Sequence, residues 1–238
     1  MRLHRFYISE TIGSRTEIKI DSAELSNQLR RVFRLTSGDS IIVFDGSGLD
    51  YECDIIDIKT SSVTIRPIRS SRSRTMPNRD VILYASITKK DTFEWIVEKA
   101  TELGVTRIVP LMAERSEKKN LNMERLNKIA VEASEQSGRG TVPVITPIVE
   151  FGELFGSEYF DKEATNIVFH TECPVFDRGR TSRVDLDHTG VFIGAEGGWS
   201  VKEIEMFHTH GIQVRSLGTQ ILRAETAVIA ALSKVLLG

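Results

Sequence analysis

The sequence predicts an α/β protein in which a small β-rich region precedes a larger region of alternating strands and helices. Short apolar runs bounded by turn residues fill the first seventy or so positions, as in a small barrel. Strand-like and helix-like runs then alternate to the end of the chain, which favours a mostly parallel sheet. The length of 238 residues is comfortable for two domains. We therefore expect a β-barrel domain over residues 1–72 and an α/β domain over residues 73–238.

The first region contains three runs that we interpret as strands. They cover residues 41–44, 51–58 and 63–68, and turn signals such as Gly38-Asp39 separate them. A helix is expected over residues 23–33. Residues 70–77 are rich in Ser and Arg and end in Pro, a composition typical of a linker.

The second region shows a longer alternation. Strands are predicted over residues 81–85, 107–112, 144–149, 166–170, 190–194 and 212–217. A first helix is expected to begin at the N-cap Asp91 and to stop at Gly104, and a second to cover residues 123–137. Ser200 and Glu203 form the pattern of a capping box, which predicts a helix that Gly211 ends. An apolar stripe over residues 227–236 predicts a last helix.

Composition excludes several classes of protein. The chain is 40% hydrophobic and 27% charged, which is ordinary for a globular protein, and it has no apolar stretch long enough to span a bilayer. Cys53 and Cys173 are far apart and form no CxxC pair, so neither a disulfide framework nor a zinc ribbon is expected. His208 and His210 lack a third ligand nearby, and we predict no metal site. These features favour a cytoplasmic protein without a membrane partner.

The charge distribution is more informative than the net charge of −2. Residues 1–79 carry 13 Lys and Arg against 10 Asp and Glu. Arg30, Arg31 and Arg34 form one cluster, and the arginines between Arg66 and Arg79 follow one another without an intervening acid. Arginine suits contacts with phosphates and base edges, so RNA binding is one interpretation; a solvated linker with an ordinary basic face is the other.

Two glycine-bearing turns follow predicted strands, over residues 191–200 and 216–227. Glycines allow a ligand to approach the backbone closely, and ligands of α/β sheets bind beyond the carboxyl ends of strands. Neither turn contains GxGxxG or a P-loop pattern, and a tight turn before a capped helix is the simpler interpretation of the first. The residues alone predict a small-molecule site without naming its ligand.

Both turns resemble motifs of one known family. Residues 193–204 resemble IGPEGG(x)S(x)(x)EI, with Ala195 in place of the proline, and residues 217–227 resemble LG(x)(x)ILRAETA. Together with residues 4–7, 32–39, 44–46, 98–105 and 132–139, they make the chain similar to the RsmE family, the 16S ribosomal RNA uridine N3-methyltransferases of the SPOUT class. A second departure is Asn27, where members commonly have histidine.

The resemblance implies a SPOUT-type domain with a C-terminal trefoil knot, a feature that ordinary chain topology would exclude, and a PUA-like N-terminal barrel. It further implies a homodimer that binds S-adenosylmethionine in the knot, mainly through the backbone. The expected cofactor contacts are His170, Gly194, Glu196, Gly197, Gly198, Leu217, Gly218, Ile221 and Leu222.

The implied reaction is methylation of N3 of one uridine in 16S ribosomal RNA, within the small ribosomal subunit. Removing the N3 proton spreads negative charge onto two carbonyl oxygens, so the site needs donors and a base. Arg139 and Arg223 are the candidate donors, and Glu196 or Glu225 is the candidate base if burial raises its pKa. The RNA-binding candidates are Arg5, Arg30, Arg31, Arg34, Arg69, Arg72 and Arg74.

Simpler roles remain open for the catalytic candidates: Arg139 could form a helix ion pair with Glu132, and Arg223 with Glu225 could tie down the loop. Two other functions also remain open. One is a catalytically silent RNA-binding ribosome-assembly factor with the same fold, and the other is an unrelated α/β enzyme that binds another nucleotide at the glycine turns.

Overall fold

The computed structural model describes residues 3–117, 120–171 and 187–237. It divides into two compact units. The first combines Met1–Met76 with Ser134–Val142, and the second combines Pro77–Ala133 with Pro143–Gly238. The first unit thus extends past the predicted boundary at residues 72 and 73, and it includes a segment from the middle of the chain. The two-domain assignment itself stays a prediction.

The first unit is built on a five-stranded sheet in the order β1-β3-β4-β5-β2. β1 and β3 are parallel and the other pairs are antiparallel. The core is formed by apolar side chains that alternate along these strands, including Phe6, Ile41 and Ile55, and by the buried thiol Cys53. Burial raises the pKa of that thiol to about 12. Cys173 lies outside the described residues. The strands are β1 (Arg5–Tyr7), β2 (Ile18–Ile20), β3 (Ser40–Phe44), β4 (Leu49–Ile58) and β5 (Val63–Arg72).

The predicted helix over residues 23–33 is present but changes its geometry halfway. Helix α1 (Ala23–Asn27) begins where the Ser22 side chain accepts a hydrogen bond from the Leu25 N–H. It continues into a π-helical turn over Gln28–Val32. The segment ends at Arg34 with φ of 56°, the only positive φ outside glycine among the described residues. Helices usually end on glycine in this left-handed conformation, so Arg34 carries backbone strain that a glycine would avoid.

The prediction of a linker over residues 70–77 is wrong. β5 continues to Arg72, which pairs with Leu49 of β4. Ser73 is buried and its hydroxyl donates to the Gly138 carbonyl, while Thr75 forms a bridge to Arg139. A polar Ser-Arg composition favours a loop only when no neighbouring strand is available, and here β4 supplies the backbone partners. Pro67, which has no N–H to donate, lies next to the register shift at Glu52 and Cys53.

The second unit is an α/β structure on a parallel sheet in the order β12-β10-β11-β6-β7-β8, with β9 also paired to β7. Every pairing in it is parallel. The predicted strand over residues 144–149 is in fact two short strands, because Pro147 interrupts the ladder between them. The strands are β6 (Asp80–Ser86), β7 (Arg107–Met112), β8 (Val144–Ile145), β9 (Val149–Glu150), β10 (Thr165–Phe169), β11 (His188–Ile193) and β12 (Gln213–Arg215).

The helices of this part of the chain are α2 (Lys90–Leu103), α3 (Met123–Ser137), α4 (Val201–Thr209) and α5 (Ala224–Leu236), with a 3₁₀ helix over Phe151–Gly156. The last residues of α3, from Ser134 onwards, belong to the first unit. Gly104 ends α2 in the left-handed conformation, as predicted, but the N-cap is Lys89 and not Asp91. Asp91 lies in the first turn, where its charge still favours the helix dipole. No described helix is long and apolar enough to cross a membrane.

The capping box at the start of α4 is confirmed, and it also connects two loops. The Ser200 hydroxyl accepts from the Glu203 N–H, and Glu203 Oε2 accepts from the Ser200 N–H at 2.7 Å. The other oxygen of this buried carboxylate, Oε1, accepts from the Glu114 N–H at 2.8 Å. Glu203 therefore joins the loop after β11 to the loop after β7.

Replacing Glu203 by alanine is expected to lower the free energy of unfolding by about 2 kcal/mol, because two backbone N–H groups lose a charged acceptor. Urea denaturation followed by circular dichroism measures the change. Glu205→Ala, on the exposed side of the same helix, is the control and should stay near the wild-type midpoint. Equal midpoints for the two variants would contradict the role given to Glu203.

Candidate functional site

The candidate site lies at the carboxyl edge of the parallel sheet in the second unit. β10, β11 and β12 are neighbours there and all run in the same direction, so the residues that follow each strand meet at one edge. These residues and the start of α5 line a pocket of about 260 Å³. Both glycine-bearing turns singled out from the sequence contribute to it.

The first turn is held in shape by backbone contacts. The Gly198 N–H donates to the Ala195 carbonyl at 2.8 Å, and Gly198 has φ of 66°, a conformation that glycine adopts without strain. A Cβ on Gly194 would lie 3.2 Å from the backbone of Gly198. Arg115, which follows β7, donates from Nη1 to the Gly197 carbonyl at 2.6 Å. The turn is therefore compact because two glycines lie close together in it.

The second turn is organised by Ser216. Its hydroxyl donates to the Gly218 carbonyl at 2.7 Å and accepts from the Gly218 N–H at 3.2 Å. On the other side, the His170 N–H donates to the Arg215 carbonyl at 2.8 Å, which joins the ends of β10 and β12. The backbone N–H and carbonyl of Gly218 are thus both hydrogen-bonded to Ser216. The pocket wall is formed by residues on either side of Gly218.

The pocket brings together eight of the nine residues expected to contact a cofactor. They are His170, Gly194, Glu196, Gly197, Gly198, Leu217, Ile221 and Leu222. Gly218 is next to the wall without forming part of it. Their role in binding stays a prediction, but the sequence correctly placed them at one edge of the sheet.

Sequence reasoning missed other residues of the wall, among them Arg115, Phe169, Trp199, Ser216 and Gln220. Arg115 could have been found, because it follows a predicted strand at the same edge of the sheet. Trp199 is 2% exposed, and its Nε1–H has no hydrogen-bond partner among the described residues. A buried donor of this kind is rare in proteins, and an acceptor on a bound ligand would satisfy it.

The three candidate catalytic residues of this unit lie at or near the pocket. Glu196 is part of the wall and is exposed, so the burial expected of a base is absent there in the single chain. Arg223 is exposed at the N-cap of α5, and Glu225 is half-buried in the first turn of that helix. The free N–H groups of the α5 N-terminus add positive potential at this position.

Arg139, the fourth candidate, belongs to the first unit and is only 3% exposed. Its backbone N–H donates to the Ser134 carbonyl as α3 ends. Burial lowers the pKa of its guanidinium to about 10, so the group still carries its charge near neutral pH. A role for Arg139 in catalysis stays a prediction.

The arginines expected to contact RNA all belong to the first unit, but their environments differ. Six of them are exposed: Arg30, Arg31, Arg34, Arg69, Arg72 and Arg74. Arg5 instead has a side chain only 10% exposed, with Nη2 2.6 Å from Asp50 Oδ1. Its guanidinium also lies 3.7 Å from the centroid of the Phe44 ring. Arg5 is thus committed to internal contacts, which makes it a poor phosphate ligand.

The histidines considered as metal ligands have other surroundings. His210 stacks on Phe155, with ring centroids 3.9 Å apart and an interplanar angle of 13°, and its Nδ1 lies 2.9 Å from the Met206 carbonyl oxygen. His208 is exposed on α4. Stacking on Phe155 and the contact with the Met206 carbonyl thus hold His210 at the end of α4.

Comparison with protein families identifies both regions of the chain. A model described as an RNA methyltransferase domain matches residues 75–236, and a model described as an RNA methyltransferase PUA domain matches residues 27–68. The first match covers most of the second unit and the carboxyl-edge pocket.

Individual proteins agree with these matches. The chain is 30% identical to ribosomal RNA small subunit methyltransferase E of Bacillus subtilis, over 90% of this chain and 88% of that protein. It is 29% identical to the protein of the same name from Rickettsia conorii, over 99% and 96%. Among solved structures, ribosomal RNA small subunit methyltransferase E from Neisseria gonorrhoeae, bound to S-adenosyl methionine, superposes with a TM-score of 0.85. That structure is 26% identical and covers 98% of this chain and 96% of its own.

The family model spans more than half of the chain, and the Bacillus relative matches it over nearly the full length of both proteins. The fold, the parallel sheet and the glycine turns at its carboxyl edge agree with that assignment. The chain therefore belongs to the RNA methyltransferase family that includes ribosomal RNA small subunit methyltransferase E.

Proposed function

We propose that this protein is an S-adenosylmethionine-dependent methyltransferase that modifies N3 of one uridine in 16S ribosomal RNA of the small subunit. The carboxyl-edge pocket carries the proposal, since it combines the two glycine turns in a chain whose relatives are ribosomal RNA small subunit methyltransferases. A related structure contains S-adenosyl methionine. Transfer of a labelled methyl group to small subunits, with mass spectrometry of the product nucleoside, tests the reaction and its position.

The residues of the pocket fit this cofactor. Phe169, Leu217 and Leu222 offer apolar surface to an adenine ring, while the glycine turn exposes backbone groups to polar atoms. The unsatisfied Nε1–H of Trp199 adds a buried donor at the wall. When bound, S-adenosylmethionine supplies a methyl group attached to a positively charged sulfur.

The protein's own part in the reaction is to move one proton and to stabilise charge. Uracil N3 becomes nucleophilic when a base removes its proton, and the resulting charge spreads onto the two neighbouring carbonyl oxygens. Glu196 at the wall and Glu225 in the first turn of α5 are the proposed bases. Arg223, at the same helix end, is the proposed hydrogen-bond donor to these oxygens, and Arg139 is proposed as a second donor.

We infer a C-terminal trefoil knot of the SPOUT type from the path of the chain. β12 is an edge strand of the sheet, next to β10, whereas α5, which follows it, packs against β11 and α2. The chain thus turns back from the edge of the sheet towards its middle before it ends. This return supports a C-terminal knot.

We further propose that the working enzyme is a homodimer. Ile221 at the pocket is 87% exposed and Leu222 is 36% exposed, and surfaces of this kind near a ligand site mark contact regions. Light scattering at micromolar concentration should report twice the chain mass of 26.7 kDa. A monomer under these conditions would rule out the dimer.

Gly194→Val is expected to weaken cofactor binding at least about tenfold, equivalent to about 1.4 kcal/mol, because its Cβ would push against the Gly198 backbone and open the turn. Calorimetry with S-adenosylmethionine measures the change. The control is Gly152→Val, because a Cβ on Gly152 meets nothing within 4 Å. Unchanged affinity in folded Gly194→Val would show that the turn does not form the cofactor site.

Conservative amide substitutions separate the two candidate bases. The carboxylate that removes the N3 proton should lose about 10²–10⁴-fold in kcat on change to glutamine, because the amide cannot accept the proton, with cofactor affinity preserved. Glu196→Gln and Glu225→Gln are compared by single-turnover methyl transfer, with the exposed Glu205→Gln as the control. If both variants kept full activity, neither carboxylate would be the base.

A further inference from the structure

The first unit contains a groove of about 1230 Å³. Its wall includes residues of β1, β4 and β5, the π-helical turn and the end of α3. Arg69, Arg72 and Arg74 contribute to its wall and are exposed, so the opening of the groove is positively charged. A positive opening of this size suits a flexible, negatively charged chain.

The wall of the groove also carries carboxylates. Asp50 and Glu52 belong to its wall, and their side chains are 19% and 30% exposed. Asp50 Oδ1 forms an ion pair with Arg5 Nη2, and Glu52 Oε2 forms one with Arg69 Nη2, both at 2.6 Å. The partly buried Arg5 also donates from Nη1 to the Ser134 carbonyl at 3.2 Å, which helps to hold the Arg5–Asp50 pair in place. Each carboxylate therefore has a second oxygen with which it can accept a hydrogen bond from a ligand.

One side of the groove is aromatic. The His4 and Phe33 rings lie 4.3 Å apart at an interplanar angle of 50°, and both residues belong to the wall. Phe33 packs edge-on against the buried Phe6 at 5.2 Å, so the pair is anchored in the core. His4 is exposed. An exposed ring on an anchored one offers a surface on which a nucleobase can stack.

We propose that this groove holds one unpaired nucleotide of the RNA substrate, outside the position that is modified. The base stacks on His4, Arg72 and Arg74 hold its phosphates, and Asp50 and Glu52 accept a hydrogen bond from its exocyclic amino group. The groove thus selects a base that carries such a group, as cytosine does, over uracil. This inference rests on the proposed function only in taking RNA as the substrate.

The chemistry of the groove distinguishes these ligands. At position 4 of the ring, uracil presents a carbonyl oxygen, which a carboxylate repels, whereas cytosine presents an amino group that donates to a carboxylate. An acidic peptide would match the arginines but would meet Asp50 and Glu52 with the same sign of charge. A single-stranded nucleotide uses the exposed arginines, the aromatic side and the carboxylates of the wall together.

Fluorescence anisotropy with the full-length protein and labelled hexacytidylate, hexauridylate and a hexaglutamate peptide tests the proposal. Hexacytidylate is expected to bind several-fold more tightly than hexauridylate. Glu52→Gln should reduce this ratio towards one, because an amide is a weaker acceptor than a carboxylate. His4→Ala should weaken binding of both oligonucleotides about tenfold, as loss of a stacked base does elsewhere.

Arg72→Ala combined with Arg74→Ala should flatten the dependence of affinity on salt by about one to two phosphate contacts. Arg15→Ala, an exposed arginine of the same unit away from the groove wall, is the control and should bind as the wild type does. Equal affinity for the two oligonucleotides, no saturable binding, wild-type affinity in His4→Ala, or tighter binding of the peptide would each overturn the proposal.

Methyl transfer to small subunits and calorimetry with S-adenosylmethionine, run on the same preparations, keep the two proposals apart. A protein that methylates subunits but shows no preference for hexacytidylate would contradict the groove proposal alone. A protein that shows this preference without methyl transfer would contradict the proposed reaction and leave the groove proposal supported.

Discussion

The common direction of the strands in the second sheet is the constraint on which the candidate site depends. Since β10, β11 and β12 are parallel neighbours, their carboxyl ends meet at one edge, and residues distant in sequence become the wall of one pocket. His170, Gly194 and Leu217 follow three different strands, yet all three line it. Antiparallel pairing would have placed these turns at opposite edges.

Close packing at that edge needs a support, which the buried carboxylate of Glu203 provides. It accepts from Ser200 in one loop and from Glu114 in another, while Arg115 donates to Gly197. Charged side chains therefore hold the backbone of this edge in place, and the glycines leave the surface of the pocket open. This division explains how a turn with three glycines can keep one shape, despite the conformational freedom of those residues.

Arginine has two distinct uses in the first unit. Arg139 is buried, and Arg5 is partly buried and held between Asp50, Phe44 and the Ser134 carbonyl. Arg72 and Arg74 are exposed at the groove. The number of positive charges in the sequence does not distinguish the two groups of arginines. Only the exposed arginines can release counterions when a phosphate binds. Arg34 adopts a left-handed backbone conformation that glycine would adopt with less strain. An arginine at this position points to a function for its side chain.

The sequence by itself determined the alternation of strands and helices, the Ser200 capping box, the stop at Gly104 and the two glycine turns, because each depends on local periodicity or on a single residue's backbone preference. Only the tertiary structure decided the rest. It extended β5 through residues expected to form a linker, split the strand at Pro147, joined residues 134–142 to the first unit and turned Arg5 inward. Except at Pro147, whose missing N–H interrupts the ladder locally, the partner lies elsewhere in the chain, and the energy of that pairing or burial exceeds the local preference that sequence patterns report.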